Sequence, residues 1–276
     1  MRTDKIKHYR FGYSRKELER LRSQHRIWAE DNRRLLARAG FSAGATLVDL
    51  GCGPGYTALE LANIVGPKGR IIAVDRDSEL SLQLLKERSA AAGILNIETR
   101  VADLETFDLP DRSVDGVYGR WVLMYLPERT VGSIIACVAR WLRPDGVCTL
   151  AEFCNYRHIH IHPPCDHLPV VAEALIHAVK GNRGCNPEIG NTLPGLLNNA
   201  GLEVELNVVT KTVRATTPGW QWPDALFRDH LQGLVEEGYL KRQVLDAFFM
   251  EWEQRSKDPE ALFLGSPVME VIGRRV

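Results

Sequence analysis

The stretch Val48-Asp49-Leu50-Gly51-Cys52-Gly53-Pro54-Gly55 constrains this chain more than any other. An apolar run ends on a carboxylate, passes directly into three glycines at alternate positions, and continues as a helical pattern from Tyr56 to Val65. A buried strand, a tight turn and a helix in that order present backbone N–H groups at a helix N-terminus. Three turn positions without a Cβ let a ligand approach them closely. The spacing is G-x-G-x-G; a dinucleotide fingerprint needs its third small residue one position later, where this chain has Tyr56.

The same pattern recurs downstream. Arg70–Asp75 is a second apolar run ending in a carboxylate, and Asp75 lies 24 residues beyond Gly51, near the distance of an acidic residue that holds ribose hydroxyls. A third run, 96–101, leads to Ala102-Asp103-Leu104, and a fourth, 114–119, to Arg120-Trp121 and Tyr125. The turn Arg143-Pro144-Asp145-Gly146 suits type I, with proline presetting φ, and opens a fifth strand that closes on Glu152. Helical patterns over 56–65, 78–92 and 127–142 separate most of these runs. The last is the clearest, with Val131, Ile134, Ile135, Val138, Trp141 and Leu142 on one stripe. Strands joined through helices pair in parallel with right-handed crossovers. The expected fold is α/β, a doubly wound Rossmann-like sheet with its ligand at the carboxyl ends of the strands.

This ordered set, spread over roughly 105 residues, resembles the class I S-adenosylmethionine-dependent methyltransferases, and more loosely the bacterial small-molecule enzymes of quinone and specialised-metabolite type. The resemblance implies a seven-stranded, mostly parallel sheet whose last two strands form a hairpin. It implies S-adenosylmethionine as cofactor and S-adenosylhomocysteine as product. Asp49, Gly51, Cys52, Gly53, Gly55 and Tyr56 then cradle the cofactor. Asp75 holds the ribose and Asp103, flanked by Ala102 and Leu104, caps the adenine amino group. Read singly, Asp75 and Asp103 are either these ligands or solvated strand ends. Arg76 either stacks on the adenine or is a solvated charge. Arg120, Trp121 and Tyr125 line the methionine end, with core packing as the plain alternative for Trp121.

Four regions follow from the pattern. Residues 1–40 hold an N-terminal helix opened by the capping box Ser14-Arg15-Lys16-Glu17 and ended by Gly40. In related small-molecule enzymes such a segment folds over the cofactor, so Tyr9, Tyr13, Gln24 and Trp28 are of interest. Gln24 is either a cofactor contact or part of a solvated face. Residues 41–152 are the cofactor-binding core and 153–190 a cover insertion. Residues 191–276 complete the sheet, with strands at 202–209 and 268–275 around a helical insertion, 215–262. Its stripes, including Phe227, Phe248, Phe249 and Trp252, either cover the acceptor pocket or form a dimer interface, so the chain is expected to be a monomer or homodimer.

His158-x-His160-x-His162 would place three imidazoles on one face of an extended segment. The spacing lacks the C-x-x-C or H-x-x-x-H of a compact site and Pro163-Pro164 breaks the element, so no metal is expected. Apart from surface histidines, the remaining reading is that one or two of them face substrate. His158, His160 and Glu152 are the candidate catalytic bases, with orienting its neighbours as the alternative reading for Glu152. Thirty-five Lys+Arg against 35 Asp+Glu give zero net charge, which argues against nucleic-acid partners bound through counterion release. No run of eighteen apolar residues points to a membrane. Met1-Arg2-Thr3-Asp4-Lys5 lacks the apolar segment of a secretory signal, and six cysteines lack a C-x-x-C pair, so a reducing, cytoplasmic setting is expected. The expected function is methyl transfer, by in-line displacement in a covered pocket, to a small, partly apolar or aromatic acceptor at O, N or C. The alternatives are a non-catalytic cofactor-binding or scaffolding protein and an NAD-dependent oxidoreductase.

Overall fold

The computed structural model describes residues 14–76 and 80–276; Tyr9, Tyr13 and the expected start of the third helix lie outside them. Helix α1 (Arg15–Ala39) begins at Ser14, whose side chain accepts the Glu17 N–H at 3.1 Å, and ends at Gly40 with φ 74°. Then follow β1 (Thr46–Leu50), α2 (Tyr56–Val65), β2 (Arg70–Asp75), α3 (Ser81–Ala91), β3 (Ile97–Val101), β4 (Val114–Arg120), α4 (Glu128–Trp141) and β5 (Leu142–Phe153). The remainder is β6 (His160–His162), α5 (Leu168–Gly181), α6 (Leu193–Asn199), β7 (Leu202–Val209), β8 (Thr212–Arg214), α7 (Gln221–Glu236), α8 (Arg242–Lys257), β9 (Leu262–Leu264) and β10 (Val268–Arg275).

Seven strands form one sheet in the order β3-β2-β1-β4-β5-β10-β7. The first five are parallel, and β10 runs antiparallel to both β5 and β7. The sheet is buried on both faces because alternate strand residues feed two clusters. Leu47, Ile71 and Ala73 join Leu36, Leu61 and Leu85 on one side. Val48, Leu50, Ile72 and Val74 join Val131, Ile135 and Leu193 on the other. The chain order reverses between β1 and β4, and crevices at such a switch point take ligands in open α/β sheets.

Two features depart from expectation. The Arg143–Gly146 turn has Asp145 in the left-handed region at φ 64°, as at the third position of a type II turn rather than type I. Gly146 is required there, because a Cβ would lie 2.8 Å from the Arg143 carbonyl oxygen. Outside the main sheet, β6, β9 and β8 form a second, three-stranded antiparallel sheet. Strands of three residues are too short for a two-residue period to announce them. Only Ile161 of β6 is buried, leaving His160 and His162 exposed on its outer side, while His158 belongs to the preceding 3-10 turn.

Candidate active site

The glycine turn is built by three positive φ angles, 61° at Gly51, 50° at Gly53 and 80° at Gly55, which only glycine adopts without strain. The three glycines answer to different neighbours. A Cβ on Gly51 would collide with Val122, and one on Gly55 with Leu85 of α3, whereas one on Gly53 would meet nothing within 4 Å. Gly53 faces a cavity of about 680 Å³ at the carboxyl ends of the strands. Its N–H donates to Asp75 Oδ2 at 2.8 Å, which ties the turn to the tip of β2.

The cavity gathers residues far apart in sequence. Asp49, Gly51, Cys52, Gly53, Tyr56, Asp75, Arg76, Ala102, Leu104, Arg120, Trp121 and Tyr125 line it, and Gln24 of α1 closes over them. Gly55 and Asp103 lie outside the lining. Gly55 serves the close approach of α3. The Asp103 carboxylate holds Arg76 at 2.5 Å and accepts the Glu105 N–H at 3.0 Å, which pairs the two side chains expected at the adenine. His158 and His160 are exposed and also lie outside the lining; only Ile159 between them reaches it. Neither imidazole therefore reaches the cavity in this structure.

Glu152 is fully buried. One of its oxygens accepts the N–H groups of Val122 and Leu123, each at 2.8 Å. It thereby holds the turn after β4, where Trp121 adopts φ 51°. Burial pushes its carboxyl up to about 7, against the pull of those N–H groups. This geometry fits the orienting role rather than that of a base.

Charge at the glycine-turn end is arranged around Asp49. Burial pushes its carboxyl up to about 8; Arg120 opposes the shift, and Asp75 and Glu60 add to it. One Asp49 oxygen is buried without a hydrogen-bond partner among the described residues, which marks a place for a donor or cation. Arg120 lies 3.2 Å from His25 Nδ1, over the Trp121 ring at 4.7 Å, and His25 stacks on Tyr56 at 5.0 Å. A folded-state pKa above the unfolded 3.8 means that Asp49 contributes stability that is full below that value and lost as pH rises through about 8. Denaturation of the ligand-free protein should therefore become progressively easier between about pH 4 and 8. Asp49→Asn should remove most of that slope, leaving the smaller part due to Glu152. An unchanged slope in the variant would refute the assignment.

The opposite end is apolar. Trp121 stacks on Phe153 at 5.3 Å and meets Trp28 edge-on at 5.3 Å, so it both lines the cavity and packs in the core. Tyr156, Ile159, Leu175 and Val179 come from 153–190, Trp222, Pro223 and Leu226 from the start of α7, and Phe263 from β9. Helix α8 contributes nothing to the lining. Its Phe248 and Trp252 are buried behind that lining in an aromatic group with Trp220, Phe227 and Phe263. The lining residues missed in the sequence include Arg20, His25, Met124, Tyr156 and Ser266. Only Arg20 carried a signal, its i,i+4 spacing to Gln24. Among the described residues, no group of three or more His, Cys, Asp or Glu is placed to hold a metal ion.

Residues 47–146 match the family model of a methyltransferase domain. Over this segment the chain is similar to S-adenosylmethionine-dependent methyltransferases. It is 34% identical over 124 residues to trans-aconitate 2-methyltransferase of an Azoarcus strain, covering 45% of each chain. It is 29% identical over 130 residues to the ubiquinone/menaquinone biosynthesis C-methyltransferase of Francisella tularensis subsp. novicida, covering 47% of this chain and 50% of that one. A putative methyltransferase structure from Bacillus halodurans superposes with a TM-score of 0.61 at 17% identity, over 89% of this chain and 99% of the other. The matched regions span between a quarter and about half of the length of the first curated relatives. The cavity fits the family's cofactor: Gly53 leaves a cradle that a Cβ would fill, and Asp49 keeps a buried oxygen for a cationic group.

Asp75 is buried and Asp103 is one-third exposed and paired with Arg76. Asp75→Ala should therefore weaken S-adenosylhomocysteine binding at least 30-fold, through the loss of charge-assisted hydrogen bonds worth roughly 1.5–3 kcal/mol each. Asp103→Ala should stay within tenfold. Calorimetric titration of both variants checks the order, and the reverse ranking would overturn it.

Proposed function

We propose that this chain transfers a methyl group from S-adenosylmethionine to a small acceptor of partly apolar or aromatic character. The observation that carries the reading is the continuity of one cavity. Its glycine-turn end offers Gly53, Asp49, Asp75 and Arg120, and its other end is an aromatic chamber. The cofactor, when bound, supplies an electrophilic methyl on a sulfonium, which an acceptor takes by in-line displacement. The chain's own residues bind, align and exclude water. Asp49 takes the ammonium of the cofactor's amino-acid end, and Arg120 with His25 takes the carboxylate. Asp75 receives ribose hydroxyls. Trp121 and Tyr125 present aromatic faces that favour a neighbouring cation by about 0.5–2 kcal/mol. Holding the reactants in line lowers the barrier by several kcal/mol, and the chamber formed by α1, α5, α7 and β9 keeps the reaction dry.

Thermal shift tests the reading. S-adenosylhomocysteine should stabilise the protein and NAD should not, since at equal concentration the ligand that binds the folded state more tightly stabilises more. A mass-shift screen of phenols, acids and amines with S-adenosylmethionine then reads transfer. Stabilisation by NAD alone would favour the oxidoreductase, and cofactor binding without transfer to any acceptor would favour a binding protein. No helix among the described residues is long and apolar enough to cross a membrane, which agrees with an acceptor taken from water. A cytoplasmic setting, with the chain acting as monomer or homodimer, belongs to the same proposal.

A further inference from the structure

Arg20 is an expensive residue for its position. It lies in the second turn of α1, is 5% exposed and lines the cavity. Its Nε and Nη2 donate to the two carboxylate oxygens of Glu17 at 2.8 and 2.6 Å, and its Nη1 donates to Gln24 Oε1 at 2.5 Å. Glu17 is as deeply buried. On a solvated helix such an i,i+3 pair contributes a few tenths of a kcal/mol. Sealing both ions from water costs several kcal/mol per ion, and apolar residues of similar volume often serve stability equally well. A guanidinium tethered on two sides is a weak stabiliser but a good recognition group, because its planar fork is set before a ligand arrives.

The surroundings say what that group would recognise. Tyr156 also lines the cavity. Burial holds its phenol well above the usual value, and the next influences are Tyr125, which raises it, and Arg20, which lowers it. Both tyrosines line the cavity. Of the other lining guanidinium groups, Arg76 is paired with Asp103, and Arg120 stands beside Asp49 at the glycine turn, where the proposed function gives it to the cofactor. Arg20 is then the cation left for an acidic group of the acceptor, with Leu175, Leu226 and Phe263 among the apolar lining.

We propose that Arg20, together with Tyr125 and Tyr156, anchors an acceptor bearing an anionic oxygen group, a carboxylate or an acidic phenol, on an apolar or aromatic frame. This rests on the methyltransferase reading of the cavity. Glu17 and Gln24 are positioning residues that act by holding the guanidinium.

Binding to the full chain saturated with S-adenosylhomocysteine tests the proposal, with matched probes: 2-naphthoate against 2-naphthamide, and 4-nitrophenol against 4-nitroanisole. At least one acid should bind tenfold or more tighter than its neutral partner, and which acid does so separates carboxylate from phenol. Arg20→Gln should bring that acid to its partner's affinity, and Arg20→Lys should restore only part, since the fork is lost. Arg20→Gln strands Glu17 in the interior, so the double variant Glu17→Gln, Arg20→Gln decides if the single one does not fold. The proposal is overturned if neither acid is preferred, if the preference survives removal of Arg20, or if S-adenosylhomocysteine affinity falls by the same factor as acid affinity. S-adenosylhomocysteine is titrated first into the wild type. Absence of that binding removes the methyltransferase reading itself, whereas its presence without acid preference removes only this inference.

Discussion

Gly53→Val should abolish detectable S-adenosylhomocysteine binding, with a loss of at least 100-fold by calorimetric titration. The side chain would enter the cavity, because the space beside the Gly53 Cα holds no protein atom within 4 Å. It would occupy the path by which a ligand reaches the backbone N–H groups of the turn. The φ of 50° adds strain for a β-branched residue, so Gly53→Ala is the companion variant and should show an intermediate loss. Gly55→Ala is a different case. Its Cβ would strike Leu85, so stability should fall as α3 is displaced. If Gly53→Val binds with unchanged affinity, the glycine turn is not the cofactor cradle.

Trp252→Ala should cost about 3–5 kcal/mol of unfolding free energy, the range for removing a large aromatic from a packed core. Trp252 is fully buried, stacks on Trp220 at 4.6 Å and meets Phe227 edge-on at 4.9 Å. Its indole N–H donates to Asp224 Oδ1 at 2.9 Å, so truncation also removes a partner from that carboxylate. Phe227 and Phe263 share the cluster, and Phe263 is also a wall of the cavity. Hydrogen exchange should accordingly quicken in α7 and α8 more than in β1 or β4. Chemical denaturation measures the first effect, and a loss below about 1 kcal/mol would mean the cluster is not packed as described.

The contrast between these residues shows where the sequence was sufficient. Asp49, Gly51, Gly53 and Asp75 were legible because each lies within or at the end of a short strand–turn–helix unit. There, neighbours in sequence are neighbours in space. The hairpin of β7 and β10 was legible too, although residues 210–267 separate its strands, because both strands carry their own pattern. Asp103 and Arg76 were each assigned a ligand singly, yet they form an ion pair with each other. Nothing local announces a pairing across two strand ends. The three histidines gave a strong pattern that placed no imidazole in the cavity.

Periodicity identified α7 and α8 as amphipathic but left open what their apolar faces meet. Adjacent residues on a helix point about 100° apart. Leu226 therefore lines the cavity while Phe227 is packed among Phe248 and Trp252, and only the angle at which α7 lies decides which does which. The cavity also unites Arg20, Tyr156, Trp222 and Phe263, drawn from four elements between residues 20 and 263. The sequence by itself determined the α/β alternation, the glycine turn and the carboxylates at the tips of β1 and β2, because strand and turn preferences act over a few residues. Tertiary structure alone decided which residues wall the cavity and the burial of the Glu17–Arg20 pair, because both depend on how α1, α5 and α7 pack against one another.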